Sequence, residues 1–164
     1  MSELVAQSEI VEQAVSYAES AKTRLIHALE SVPDDKLTWS PSPTAKTPLA
    51  IAAHAGMSNS NFASLLRGDP MPDLPFEKLM AMMAEAENAI KTREEAVQII
   101  EVKSAEAIAA LNGLTQARIG EEVQTPFGSM SVKFIMTIIG RHMDSHAAQI
   151  DYLQTIWGDQ QMHF

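Results

Sequence analysis

The residues best suited to chemistry are His142 and His146, four apart in the segment HMDSHAAQIDYLQTIWG. On a helix that spacing puts both rings on one face, about 6 Å apart along the axis at about 1.5 Å per residue. Two imidazoles so placed can converge on one first-row metal ion. His54 lies in a second helical segment, on the stripe Ile51, His54, Ser58, Phe62 and Leu65, so three neutral imidazoles can meet inside a bundle. Three protein ligands leave coordination positions for water or substrate, as catalytic metal sites do. From the residues alone a second reading stays open. A single histidine on an apolar face is commonly a hydrogen-bonded core residue. A pair on one stripe is harder to place that way, because burying two unpaired rings is costly.

Gln149 follows His146 by one turn and is expected to orient a bound water or substrate by hydrogen bonds. Asp144 and Asp151 fall off the histidine stripe and are expected to be solvated surface carboxylates. His27 is expected at the surface, and His163, in the tail GDQQMHF, loosely packed.

The composition removes many alternatives. There is no cysteine, which excludes disulfides, thiolate metal sites, iron–sulfur clusters and a cysteine nucleophile. Any transition metal must then be held by histidines and carboxylates. No Glu stands three residues before a histidine, so the Glu-x-x-His pattern of di-iron bundles is absent. Met143 follows His142, which excludes the HExxH zinc-protease motif, and neither a P-loop nor GxGxxG occurs. Twelve Lys+Arg against 21 Asp+Glu give a net charge of −9, which would repel a nucleic-acid backbone or an anionic membrane surface. The start of the chain carries Glu3, Glu9 and Glu12 without a basic stretch, unlike a signal peptide. The longest apolar run, Leu79 to Ala84, is far short of the roughly 20 residues a membrane span needs. A soluble, cytoplasmic protein is expected, with all 164 residues in one domain.

The elements that must position these side chains are helices. The first pattern runs from about Ser2 to Ser31, with Leu4, Val11, Ala18 and Leu25 repeating every seven residues beside Ala14, Ala21 and Ala28. Pro33 ends it, and residues 33–46 form a proline-rich loop. Thr47 caps a second helix with Pro48 in first position, and Gly68 stops it. A short helix follows over Glu77 to Ala89, its Met80, Met82 and Met83 expected as adaptable core filler. Thr92 and Glu95 form a capping box for the third long helix, which Gly113 closes, with Val97, Ile100, Ser104, Ile108 and Leu111 as its apolar face. Residues 125–129 read as a turn or small hairpin, with no alternating strand pattern. Ser131 starts the fourth long helix, which runs to Trp157 before Gly158, with Ile135, Ile138, His142, His146, Gln149, Leu153 and Ile156 expected to face inward. These patterns predict an all-α fold: an antiparallel four-helix bundle with an additional short helix between helices 2 and 3.

In the segment TWSPSPTAKTPLAIAAH leading to His54, and in HMDSHAAQIDYLQTIWG, the sequence resembles the DinB-like superfamily of metal-binding four-helix bundles. That superfamily includes bacterial thiol transferases and mycothiol-dependent isomerases. Its fourth helix carries His-x-x-x-His, then a small residue, Gln, an aliphatic residue and a terminal Gly. These correspond to His142, His146, Ala148, Gln149, Ile150 and Gly158, with Ala148 in place of the usual Gly. The resemblance implies that His54, His142 and His146 bind a divalent metal ion, Zn or Ni first, with Fe or Cu also suited to imidazole. It implies chemistry on a small molecule, either S-transfer from a low-molecular-weight thiol or hydrolysis. The alternative is a non-catalytic stress-response or binding bundle whose metal site is structural or vestigial. A homodimer is also expected from the resemblance.

Overall fold

The computed structural model describes the backbone of residues 2–70 and 72–163, and side-chain surroundings within that range from residue 9 onward. The seam position predicted for Leu4 lies outside the residues whose side chains are described. The helices are α1 (Ser2–Glu30), α2 (Pro48–Arg67), α3 (Phe76–Ala89), α4 (Arg93–Asn112), the single turn α5 (Gln116–Ile119) and α6 (Val132–Ile156); strands β1 (Glu122–Thr125) and β2 (Gly128–Ser131) precede α6.

The helix boundaries follow from local chemistry. Thr47 Oγ1 accepts a hydrogen bond from Ala50 N at 3.1 Å, with Pro48 at the first helical position, where its missing N–H costs nothing. Gly68 ends α2 in the left-handed region at φ 79°, where a Cβ would be strained. The Thr92–Glu95 capping box opens α4, and Ser131 Oγ accepts from Phe134 N to open α6. Thr115 caps α5, a single turn the sequence patterns had not indicated.

Side-chain pairings show how the four long helices assemble. Arg24 meets Asp144, Tyr17 lies against Gly140, and Gln154 Nε2 donates to Ala28 O, so α1 and α6 run parallel. Asn59 meets Ser104 and Ser60 meets Glu106, so α2 and α4 also run parallel. His54 faces His146 while Phe62 faces His142, which makes α2 and α6 antiparallel. The start of α4 returns to the end of α1, where Arg93 donates to Leu29 O and Val32 O. Because α2 and α4 point the same way, the chain must travel back along the bundle between them. That return path is α3, the predicted additional helix.

Close approach within each parallel pair depends on a missing side chain. A Cβ on Gly140 would stand 2.7 Å from Tyr17 Cδ1, and one on Gly56 would stand 3.1 Å from Ile100 Cγ1. The core between the helices is aliphatic, with Leu25, Leu29, Leu66, Ile100, Leu111, Ile135, Ile139 and Ile150 fully or nearly fully buried. Burying this surface is the main stabilising contribution.

Two sequence expectations are corrected and one is sharpened. The α3 methionines are not core filler: Met82 is 51% exposed, and the one buried residue of α3 is Glu87. Of the turn or small hairpin expected at residues 125–129, the hairpin is found: residues 122–131 pair antiparallel, with Thr125 opposite Gly128 across a two-residue turn. Each strand has only four residues, too few for an alternating pattern to register. Finally, the buried face of α6 centres on Met136, Ile139, Met143, Ala147, Ile150 and Gln154. The helix is wedged between α1 and α2, so its deepest face lies one position away from the histidine stripe, and Gln149 and Ile156 are exposed.

Candidate metal centre

The shift of the α6 core face puts His142 and His146 on the shoulder of the helix, at the edge of the core and facing the start of α2. His54, in the second turn of α2, faces them. One ring nitrogen from each of the three lies within 4.8 Å of the others. Ring centroids are 4.4 Å apart for His142–His146, 5.0 Å for His54–His146 and 5.3 Å for His54–His142. The Nε2 atoms of His142 and His146 are 3.2 Å apart. Two nitrogens at tetrahedral positions around zinc, each at about 2.0–2.1 Å, lie about 3.3 Å from one another. The pair therefore already has ligand spacing.

The outer nitrogens of two of the rings are held from behind. His54 Nδ1 lies 2.6 Å from Glu87 Oε1, and Lys46 Nζ donates to the other carboxylate oxygen at 2.6 Å. His146 Nδ1 lies 2.8 Å from Gln149 Oε1. His142 Nδ1 is buried with no hydrogen-bond partner among the described residues, and the Phe62 ring stands edge-on to His142 at 5.4 Å.

Electrostatics keep the two α6 rings neutral. Burial, reinforced by the adjacent His146 and His54 rings, lowers the His142 pKa to about 3. Burial also lowers His146, against the opposing hydrogen bond that its Nδ1 donates to Gln149 Oε1. For Glu87 burial acts upward, but hydrogen bonds from Lys46 and His54 outweigh it and hold the carboxyl below its ordinary value. The site thus combines two neutral imidazoles on α6, which have lone pairs to give, with an ionised carboxylate behind His54.

One side of the cluster is open. A cavity of about 590 Å³ reaches His54 and His146 and is lined further by Lys46, Gln149, Tyr152 and Leu153. A larger one, about 690 Å³, lies between Leu66 and Arg118 at the far end of α2 and holds none of the histidines. Arg118 is committed there to Leu65 O and Leu66 O as a helix-end cap.

Of the sequence candidates, His54, His142, His146 and Gln149 come together. His27 is exposed as expected. His163 is better fixed than predicted: its N donates to Asp151 Oδ1 and its ring pairs with Asp159. Asp144 is not a free surface carboxylate but a bidentate partner of Arg24, at 2.8 and 2.9 Å. Glu87 and Lys46 were not foreseen. Glu87 sits beside Glu85 in a polar stretch, and nothing in the local sequence separates them.

Comparison with known proteins agrees with this fold. Among curated proteins, none matches the sequence significantly. The chain is similar in structure to a mycothiol-dependent maleylpyruvate isomerase, with a TM-score of 0.71 and 15% identity over 85% of this chain. It spans 60% of that isomerase's length. It is also similar to YfiT from Bacillus subtilis, described as a probable metal-dependent hydrolase with an unusual four-helix bundle topology, with a TM-score of 0.71 and 17% identity over 90% of this chain and 87% of the other. A DinB-like protein of Bacillus subtilis, YjoA, superposes with a TM-score of 0.67 at 15% identity, covering 93% of this chain and 96% of the other. No described helix is long and apolar enough to cross a membrane. The family model for the DinB superfamily matches residues 17–150, which include His54, His142 and His146, and the chain belongs to that superfamily.

Proposed function

We propose that the protein is a divalent-metal-dependent enzyme acting on a small molecule, with His54, His142 and His146 as the metal ligands. The observation that carries this reading is the pairing of inner and outer ring nitrogens. Ligand nitrogens converge from α2 and α6, while Glu87 and Gln149 take the outer nitrogens of two rings. A carboxylate or amide oxygen behind a histidine fixes its tautomer and raises its basicity, the usual support of a metal-ligating imidazole. Zn or Ni suits three imidazoles best, and Fe or Cu would also be accepted.

When bound, such an ion supplies Lewis acidity that holds a thiol sulfur as thiolate or activates water at neutral pH. The protein's part is positional. His142 and His146 present neutral rings, Gln149 anchors His146 at the mouth, and Ile51, Tyr152 and Leu153 give the cavity an apolar wall beside the ligands. Three protein ligands and an open side favour a reacting site over a closed structural one.

Thiol-dependent transfer or isomerisation is the leading chemistry, with hydrolysis second. The dependence of the similar isomerase on mycothiol supports it. The absence of cysteine means that any reacting thiol arrives as a cosubstrate. The proposal includes a cytoplasmic location, where such thiols are kept reduced. The test is a panel of low-molecular-weight thiols and electrophiles offered to the metal-loaded protein, with simple esters and amides as hydrolytic controls. Turnover that disappears in His146→Ala is expected. Full metal loading without turnover of any pair would replace this reading with a non-catalytic bundle whose metal is structural.

A further inference from the structure

Helix α3 is anchored unusually. Its one buried residue is Glu87, 9% exposed, while Phe76 and Met82 remain 47% and 51% exposed. A surface helix ordinarily buries hydrophobic residues and keeps carboxylates in water. Burying a carboxylate is unfavourable unless its oxygens are hydrogen-bonded. Here both are: Oε1 to His54 Nδ1 and Oε2 to Lys46 Nζ, each at 2.6 Å. The return path from α2 to α4 could be closed by any helix of suitable length. The placement of this carboxylate calls for a more specific reason.

The chemistry of the contact supplies it. An ionised carboxylate only accepts hydrogen bonds. With Glu87 ionised, His54 must carry its hydrogen on Nδ1, and a neutral ring then presents a bare lone pair on Nε2, the nitrogen free to join the cluster. Lys46 occupies the second carboxylate oxygen and leaves the first to His54. We propose, on the metal-site reading above, that Glu87 is a positioning residue for the metal. It locks the tautomer and ring orientation of His54 and so makes α3, not only α2 and α6, part of the binding site.

The test uses Zn²⁺ alone in competition with a chromophoric chelator, on the wild type, Glu87→Ala, Glu87→Gln and Phe76→Ala. Phe76→Ala loosens the other end of α3, where Phe76 meets Phe127 at 5.6 Å, without touching a histidine. Glu87→Ala is expected to bind zinc about 10–100-fold more weakly. Glu87→Gln, which keeps an acceptor but loses the charge, should fall between that and the wild type, and Phe76→Ala should match the wild type. Imidazole ¹⁵N spectra of the metal-free protein give an independent readout: His54 is expected as the Nδ1–H tautomer in the wild type and as a mixture in Glu87→Ala. Should Glu87→Ala fail to fold, Glu87→Gln decides by the same measurements. Wild-type affinity in the Glu87 variants, or an equal loss in Phe76→Ala, overturns the role of Glu87 while the metal site stands. A wild type that takes up no zinc overturns both.

Discussion

Proton binding to the histidine cluster gives the account a quantitative consequence for the metal-free protein. The His142 pKa is near 3 in the folded chain because the ring is buried beside two others; in the unfolded chain it is about 6.5. A depressed histidine means that the unfolded state binds protons first as pH falls. Stability is therefore fully present above pH 6.5 and declines toward the folded value. Each pH unit inside that window costs up to about 1.4 kcal/mol per group. Between pH 7.5 and 5, above the range where carboxylates titrate, His142 alone removes up to about 2 kcal/mol. His146, lowered chiefly by burial, adds in the same direction. The assay is urea unfolding of chelator-treated protein at half-unit steps, on the wild type and on His142→Gln, which removes the titrating ring. The wild type should lose stability along this slope, and the variant should lose less. A flat profile from pH 7.5 to 5, or an NMR titration placing His142 above 6, would refute the buried neutral cluster.

Two further predictions follow from single contacts. Gly140→Ala places a Cβ 2.7 Å from Tyr17; overpacking of about 1–3 kcal/mol outweighs the roughly 1 kcal/mol that alanine gains in a helix. Chemical denaturation should show net destabilisation, and a variant more stable than the wild type would mean that α1 and α6 do not pack this closely. Gln149→Ala removes the acceptor 2.8 Å from His146 Nδ1. It should weaken metal binding by about tenfold, as loss of outer-shell support does, and leave the unfolding midpoint of the metal-free protein in place, because Gln149 is exposed.

The long helices were legible because their ends are written in local chemistry. Thr47–Pro48, Gly68, the Thr92–Glu95 box and Ser131 all act where their types predict. The histidine pair was legible for a similar reason, since a spacing of four fixes a shared face wherever the helix lies. What stayed hidden depends on which helices are neighbours. The edge position of His142 and His146 arises because α6 packs on both α1 and α2, a fact its own periodicity does not contain. The fit of Tyr17 against Gly140 spans more than a hundred residues of sequence. Glu87 meets His54 only because α3 returns along the bundle, and its burial depends on Lys46 from a loop on the far side of α2 in sequence. Asp144 was misjudged for the same reason: lying off the histidine stripe brings it to Arg24 of the neighbouring helix rather than to solvent.

Three histidines holding one divalent ion fix the metal stoichiometry of the protein at one per chain. Untagged protein, stripped with chelator and dialysed against Zn²⁺ or Ni²⁺, is measured by elemental analysis beside His54→Ala and His146→Ala. One ion per chain in the wild type, with loss of tight binding in both variants, is the predicted result. No stoichiometric uptake by the wild type, or one ion retained by both variants, would contradict it.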